Sequence, residues 1–319
     1  MGEMSMEDTL RGRIDPELLS FYDASEGFDF DALDDFVVRM NAVEIANLKE
    51  DPEVFTEERY IDGLEGAPSI KLRIYRPAAQ TQDLRPGLLF FHGGGFLFGS
   101  VYRQEVLCQR YVKQVGCLVV SVEYRLAPSW KAPAPVEDAY AALLWLYENA
   151  PSLGVDQTRL AAAGLSAGGT IVSALSMMTR DRKGPKLCLQ LPLYAELDWR
   201  LTTPSSREIT SYKVWCYENN RISWDLYLGE DKAVDYYDSP ALCEDLTGLA
   251  PVFSFVGALD PVRDENLSFW TRLLQAGIPV EAHIFPGAYH CFELGSPQAA
   301  VSQKAYELTY AALKRAFYE

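Results

Sequence analysis

Seven short runs of this chain are β-branched or leucine-rich, most of them apolar on both faces, and longer helix-like segments divide them. They cover residues 70–75, 88–91, 117–122, 160–163, 187–191, 252–256 and 280–285. A strand that hides both faces needs a layer on each side, and parallel neighbours need a crossover long enough to hold a helix. The pattern therefore predicts an α/β fold with a mostly parallel sheet covered by helices. At 319 residues and 48% hydrophobic, such a chain has the length to bury roughly 75% of its unfolded surface.

Charge and composition remove other classes. The chain carries 29 Lys and Arg against 45 Asp and Glu, a net charge of −16, which disfavours a nucleic-acid partner, since phosphate binding needs clustered cations. Cysteines at 108, 117, 188, 216, 243 and 291 form no CxxC pair, so neither a zinc cluster nor a dithiol redox site is signalled and buried thiols are expected. Three histidines are too few and scattered for a HExxH zinc site. No metal and no cofactor are expected. The acidic start Met1-Gly2-Glu3-Met4 lacks the basic and apolar stretches of a signal peptide. No apolar run approaches 18 residues, so no membrane partner is expected and the expected compartment is cytoplasmic.

Two regions depart from the strand rhythm. Residues 1–50 read as helical: Pro16, Glu17, Leu18 and Leu19 open one segment, and Phe28, Phe30, Leu33, Phe36, Val37 and Met40 recur near the 3.6 period in a second. Between Tyr194 and Val252 lie roughly sixty residues, too many for an ordinary crossover. This stretch holds Trp199, Tyr212, Trp215, Tyr217, Trp224, Tyr227, Tyr236 and Tyr237, and it is expected to be an inserted helical lid with aromatics facing a pocket.

The chemical signal sits at Gly164-Leu165-Ser166-Ala167-Gly168-Gly169, after one strand and before a helix-like segment. This is GxSxG in the strand–turn–helix setting of a nucleophile elbow, where small neighbours let strand and helix approach closely. A serine at a helix N-terminus also has backbone N–H groups aimed at developing negative charge. A second glycine motif, His92-Gly93-Gly94-Gly95-Phe96, follows the 88–91 strand. Its unshielded N–H groups at Gly93 and Gly94, with that of Ala167, are expected to form an oxyanion hole, each donor contributing on the order of 100- to 1000-fold in rate.

A serine hydroxyl needs a base, and the base needs an orienting carboxylate. His92 reads as an anchor of the glycine loop, and His283 shares a strand face with Glu281. His290 lies in the loop Gly287-Ala288-Tyr289-His290-Cys291-Phe292, beyond the C-terminal end of a strand, where ligands meet open α/β sheets. Chain order places the acid before it. Asp260, at the end of a strand and before Pro261, is favoured, with Asp264 and Glu265 as rivals.

These motifs, together with the runs Glu123-Tyr124-Arg125-Leu126-Ala127-Pro128, Ala132-Pro133-Ala134-Pro135-Val136-Glu137-Asp138, Ser239-Pro240, Asp260-Pro261-Val262-Arg263-Asp264-Glu265 and His290-Cys291-Phe292, resemble the hormone-sensitive-lipase-like (bacterial family IV) carboxylesterases of the α/β-hydrolase fold. The resemblance runs from about Pro86 to Phe292. It implies an eight-stranded, mostly parallel sheet with a helical cap, Ser166, Asp260 and His290 as the triad, and Gly93, Gly94 and Ala167 as the oxyanion hole. It divides the chain into an N-terminal part of the cap (1–50), a catalytic core (51–195 and 238–319) and an inserted cap segment (196–237). One departure stands out: the family's acidic residue before the serine is Leu165 here.

The expectation is a serine carboxylesterase for short to medium acyl esters, with Phe96, Trp215 and Leu165 as candidate substrate-binding residues. A serine amidase or deacetylase uses the same parts. A ligand-binding pseudo-hydrolase is disfavoured because all three triad residues are present. The strand at 280–285 is expected at the edge of the sheet, which needs charge, cover or pairing; a homodimer through it is one solution.

Overall fold

The computed structural model describes residues 6–28, 30, 33, 35–38, 48–79, 83–230 and 233–319. Eight strands form one sheet in the order β1-β2-β4-β3-β5-β6-β7-β8. In chain order they are β1 (Val54–Ile61), β2 (Ile70–Pro77), β3 (Arg85–Phe91), β4 (Leu118–Glu123), β5 (Val155–Leu165), β6 (Leu189–Leu193), β7 (Val252–Leu259) and β8 (Val280–Tyr289). β2 runs antiparallel to β1 and to β4, and every other pairing is parallel.

Alternation along the strands divides the core into two layers. Leu88 and Phe90 of β3 join Tyr111 and Leu313 on one face, while Leu89 and Phe91 join Val136 and Leu143 on the other. The first layer is closed by the helices Glu105–Val115 and Ala300–Tyr318, the second by Ala134–Leu153. Because β3, β5, β6, β7 and β8 are parallel, their C-terminal ends all open at one edge of the sheet. The loops after these strands therefore converge there.

All seven apolar runs overlap strands, those at 117–122 and 187–191 starting one and two residues early; the structure adds β1, which the sequence pattern does not reveal. Only Val54 and Ile61, at its two ends, are buried, and Thr56, Glu57, Glu58 and Arg59 lie between them. An edge strand with this polar centre shows no apolar period to read. β8 forms the other edge.

The segment between β6 and β7 carries the helices Pro204–Glu208 and Tyr217–Leu228. Near the N-terminus, a 3-10 turn over Pro16–Leu18 leads into the helix Leu19–Ala24. Residues 35–38 are also helical, and Met40 lies outside the described residues. All six cysteines are free thiols; Cys188 and Cys291 are partly exposed and the other four buried. Among the described residues no helix is long and apolar enough to cross a membrane.

Candidate active site

Ser166 occupies the sharp turn between β5 and the helix Ala167–Asp181, with φ 55° and ψ −122°. A side chain other than glycine's is strained at such a φ, and this strain aims the Oγ out of the turn. The flanking glycines are needed for close approach. A Cβ on Gly164 would lie 2.1 Å from the Gly168 carbonyl oxygen, and one on Gly168 would lie 2.2 Å from that of Phe91. The Ser166 N–H donates to the Leu193 carbonyl at 3.0 Å, tying the elbow to β6.

Three of the parallel strand ends bring the expected triad together. Ser166 Oγ lies 2.8 Å from His290 Nε2, and His290 Nδ1 lies 3.0 and 2.9 Å from the two Asp260 oxygens. All three residues are buried. Burial alone would lower the proton affinity of His290, but the Asp260 charge outweighs it and holds the imidazole well above its ordinary range. Asp260 is itself fixed: its Oδ1 accepts the Val262 N–H at 3.0 Å. The rivals are occupied elsewhere. Asp264 accepts the Ser205 N–H at 2.8 Å, and Glu265 accepts the Leu197 N–H at 2.7 Å.

The glycine loop backs onto the elbow, where a Cβ on Gly93 would meet the Leu165 carbonyl oxygen at 3.0 Å. Gly94 has φ +129° and its missing Cβ would lie 2.0 Å from the Phe98 carbonyl oxygen, so this position requires glycine. Among the described residues no backbone carbonyl accepts the N–H of Gly93, Gly94 or Ala167.

His92 is the loop's anchor. It stacks on Tyr124 with ring centroids 4.3 Å apart, the Tyr124 hydroxyl donates to its carbonyl at 2.7 Å, and burial pushes its imidazole down to about 3. Neighbouring motif residues hold this loop, the turn after it or one another. Glu123 accepts the Val101 N–H at 2.8 Å, Ala127 N–H donates to Phe96 O at 2.9 Å, and Arg125 pairs with the fully buried Asp138 at 2.8 Å. His283 pairs with Glu281 at 3.1 Å on β8, well apart from this machinery in the fold.

A cavity of about 220 Å³ opens over Ser166 and His290, and Leu165, Trp215, Phe21, Phe28 and Leu294 line it. Of the three candidate substrate-binding residues, Leu165 and Trp215 thus reach the pocket. Phe96 does not. It is fully buried beneath the site, stacked on Tyr227 at 3.9 Å with the rings 8° from parallel, because its loop turns it into the core.

The expected lid of pocket-facing aromatics is corrected in the same way. Only Trp215 of the eight lines this cavity. Trp224 and Tyr227 pack on Phe96, Tyr236 and Tyr237 donate to Asp181, and Trp199 and Tyr212 face solvent. Trp215 is held by edge-on contacts with Phe28 and Phe30, at 5.2 and 6.1 Å, and stands 6.1 Å from the His290 ring.

Sequence reasoning passed over two buried carboxyls beside the triad. Glu293 accepts the Tyr194 hydroxyl proton, and burial pushes its carboxyl up to about 7; Tyr194 in turn meets the His290 ring edge-on at 5.1 Å. Glu196 Oε1 lies 2.8 Å from Ser166 Oγ, and burial likewise pushes its carboxyl up to about 7 against the opposing charge of His290. The signal at Glu196 was an acidic residue just beyond a leucine-rich strand, one strand away from the serine. Among the described residues no group of three or more His, Cys, Asp or Glu is arranged to hold a metal ion.

Comparison with known proteins agrees with this fold. A family profile described as the alpha/beta hydrolase fold matches residues 88–294. The chain is 35% identical to the esterase LipI of Mycobacterium tuberculosis over 278 residues, 85% of each protein. It is 34% identical to the carboxylesterase NlhH of the same organism over 84% of each. Among solved structures, a bacterial heroin esterase superimposes with a TM-score of 0.92 at 35% identity, covering 97% of this chain and 99% of that one. Motif order, sheet topology and relatives of nearly equal length converge, and the chain belongs to the hormone-sensitive-lipase-like carboxylesterases, a family of ester hydrolases with the α/β-hydrolase fold.

Proposed function

We propose that this ester hydrolase works through an acyl-enzyme on Ser166 and favours short to medium acyl esters. The observation that carries the mechanism is one continuous hydrogen-bonded line, Ser166 Oγ to His290 Nε2 at 2.8 Å and His290 Nδ1 to Asp260 at 2.9 Å. His290 takes the serine proton as Oγ attacks the ester carbonyl, and Asp260 stabilises the imidazolium. The N–H groups of Gly93, Gly94 and Ala167 receive the negative oxygen of the tetrahedral intermediate. His290 then gives its proton to the departing alcohol, and water, activated by the same imidazole, releases the acid.

The acyl preference rests on the cavity. Its volume of about 220 Å³ is below the roughly 300–1,000 Å³ of drug-sized ligand sites, and Trp215, Phe21 and Phe28 close it with rigid rings. Esters of p-nitrophenol with acyl chains of increasing length test this directly. The turnover is expected to peak at short or medium chains and to fall by about 10⁶ in Ser166→Ala. A maximum at long chains refutes the pocket argument; undiminished turnover in Ser166→Ala refutes the mechanism.

A further inference from the structure

Ser166 Oγ has two partners, each at 2.8 Å: His290 Nε2 and Glu196 Oε1. A hydroxyl has one proton, so it donates to only one of them, and the other must supply the proton of its own contact. Two arrangements satisfy this. Either a neutral Glu196 donates to Oγ while Oγ donates to a neutral His290, or a charged His290 donates to Oγ while Oγ donates to the Glu196 carboxylate. The two hold the same number of protons, but only the first leaves His290 able to act as a base.

Glu196 is held in place as firmly as the triad. Its residue is fully buried, and its carbonyl accepts the Thr170 hydroxyl at 2.5 Å. Its neighbours are pinned from two further elements: from the helix Arg263–Gln275, Asn266 Nδ2 donates to Ala195 O at 2.7 Å and Glu265 accepts the Leu197 N–H at 2.7 Å, and from the segment before β7, Ser239 Oγ donates to Leu197 O at 2.8 Å. Its second oxygen, Oε2, is buried without a partner, so no other contact claims the group. Leu165 leaves the position before the serine without an acid, and this carboxyl reaches the hydroxyl from the neighbouring strand instead.

We propose that Glu196 is a positioning residue that shares one proton with His290 across the Ser166 hydroxyl, and thereby sets the pH at which His290 becomes free to act as base. The inference rests on the serine mechanism proposed above. The titratable groups around Glu196 are His290 and Asp260, from the loops after β8 and β7, and Glu265, from the helix Arg263–Gln275. Asp198, on its own segment, faces Glu265, and Glu293 faces His290 and Asp260. Of these, Glu196 alone touches the nucleophile besides His290. Both partners stand 2.8 Å from one oxygen, within the ~6 Å over which a charge shifts its neighbour's pKa by about one to three units.

The test is the pH profile of kcat/KM for a short p-nitrophenyl ester with wild type, Glu196→Gln and Glu196→Leu. Gln keeps the shape and donates permanently to Oγ, as the protonated acid does, but carries no charge. Its acid-side midpoint is expected to fall by about one unit or more, with plateau kcat restored to within about threefold of wild type. Leu removes the contact and is expected to lower kcat about tenfold with KM within about threefold, its midpoint falling with that of Gln. A midpoint unchanged in Glu196→Gln, or a kcat as low in Gln as in Leu, overturns the proposal. Circular dichroism and stoichiometric labelling of Ser166 by an organophosphorus probe identify any variant that has misfolded, and Glu196→Gln, isosteric with the native residue, then decides. If wild type itself turns over no ester, the serine mechanism fails; if only the midpoints fail to move, this inference alone falls.

Discussion

The floor and the wall of the pocket are built by different means. Ser166, Asp260 and His290 stand at the ends of three parallel strands, fixed by a strained φ, by backbone hydrogen bonds and by glycines whose replacement would drive a Cβ to within 2.1–2.2 Å of a carbonyl. Trp215 and Phe28 reach the same cavity from segments outside the sheet and hold each other by ring contacts. Backbone geometry is unforgiving, because a shift of one register moves every group at once. Ring packing tolerates exchange of one apolar shape for another at modest cost. On the mechanism proposed above, the chemistry belongs to the floor and the choice of ester to the wall.

If this division holds, substitutions in the floor remove rate and substitutions in the wall change selection. Asp260→Asn, which preserves shape but leaves His290 without its charge partner, is expected to lower kcat by about 10⁴; steady-state kinetics with less than a tenfold loss would break the distinction.

The floor also carries the pH dependence. Asp260 raises His290 above 6.5, its ordinary value, so the imidazolium persists to higher pH and the neutral base appears only above that point. The acid limb of kcat/KM is thus expected to have its midpoint above pH 6.5 and to fall about tenfold per unit below it. A midpoint below 6.5 would contradict the charge balance drawn here.

In the wall, Trp215→Ala is expected to raise KM for short esters roughly tenfold and to extend turnover to longer acyl chains, with kcat changed less, as uniform binding is lost. Trp199→Ala is the control from the same insert. Trp199 is 39% exposed and lines no part of this cavity, so both constants are expected to stay within about twofold. Equal effects from the two tryptophans would mean that the insert acts as a single block.

The two regions also differ in how far they could be read before the fold was known. GxSxG, HGGG and the order of serine, acid and histidine identify residues whose identity the local backbone demands, so their placement follows from short stretches of chain. The family-like runs also contained Tyr124 and Ala127, whose work in bracing the glycine loop appears only when segments distant in sequence meet. Phe96 shows the limit from the other side: adjacent to the glycines in sequence, it turns inward onto Tyr227. Nothing in its spacing distinguishes an aromatic that lines a pocket from one that supports it. Strand β1, with polar residues between two buried ends, escaped for a related reason, since an edge strand needs no apolar period.

By itself, then, the sequence determined the layered α/β plan and the glycine loop, and it named the candidate nucleophile and base, because each depends on local backbone freedom, on periodic apolar burial or on the scarcity of histidine. Tertiary structure alone decided which aromatics enclose the substrate and brought Glu196 to the serine hydroxyl. Those contacts join β6, the elbow and segments outside the sheet across long chain separations. Their geometry is set by how the strands pair and pack, and no short stretch of sequence records it.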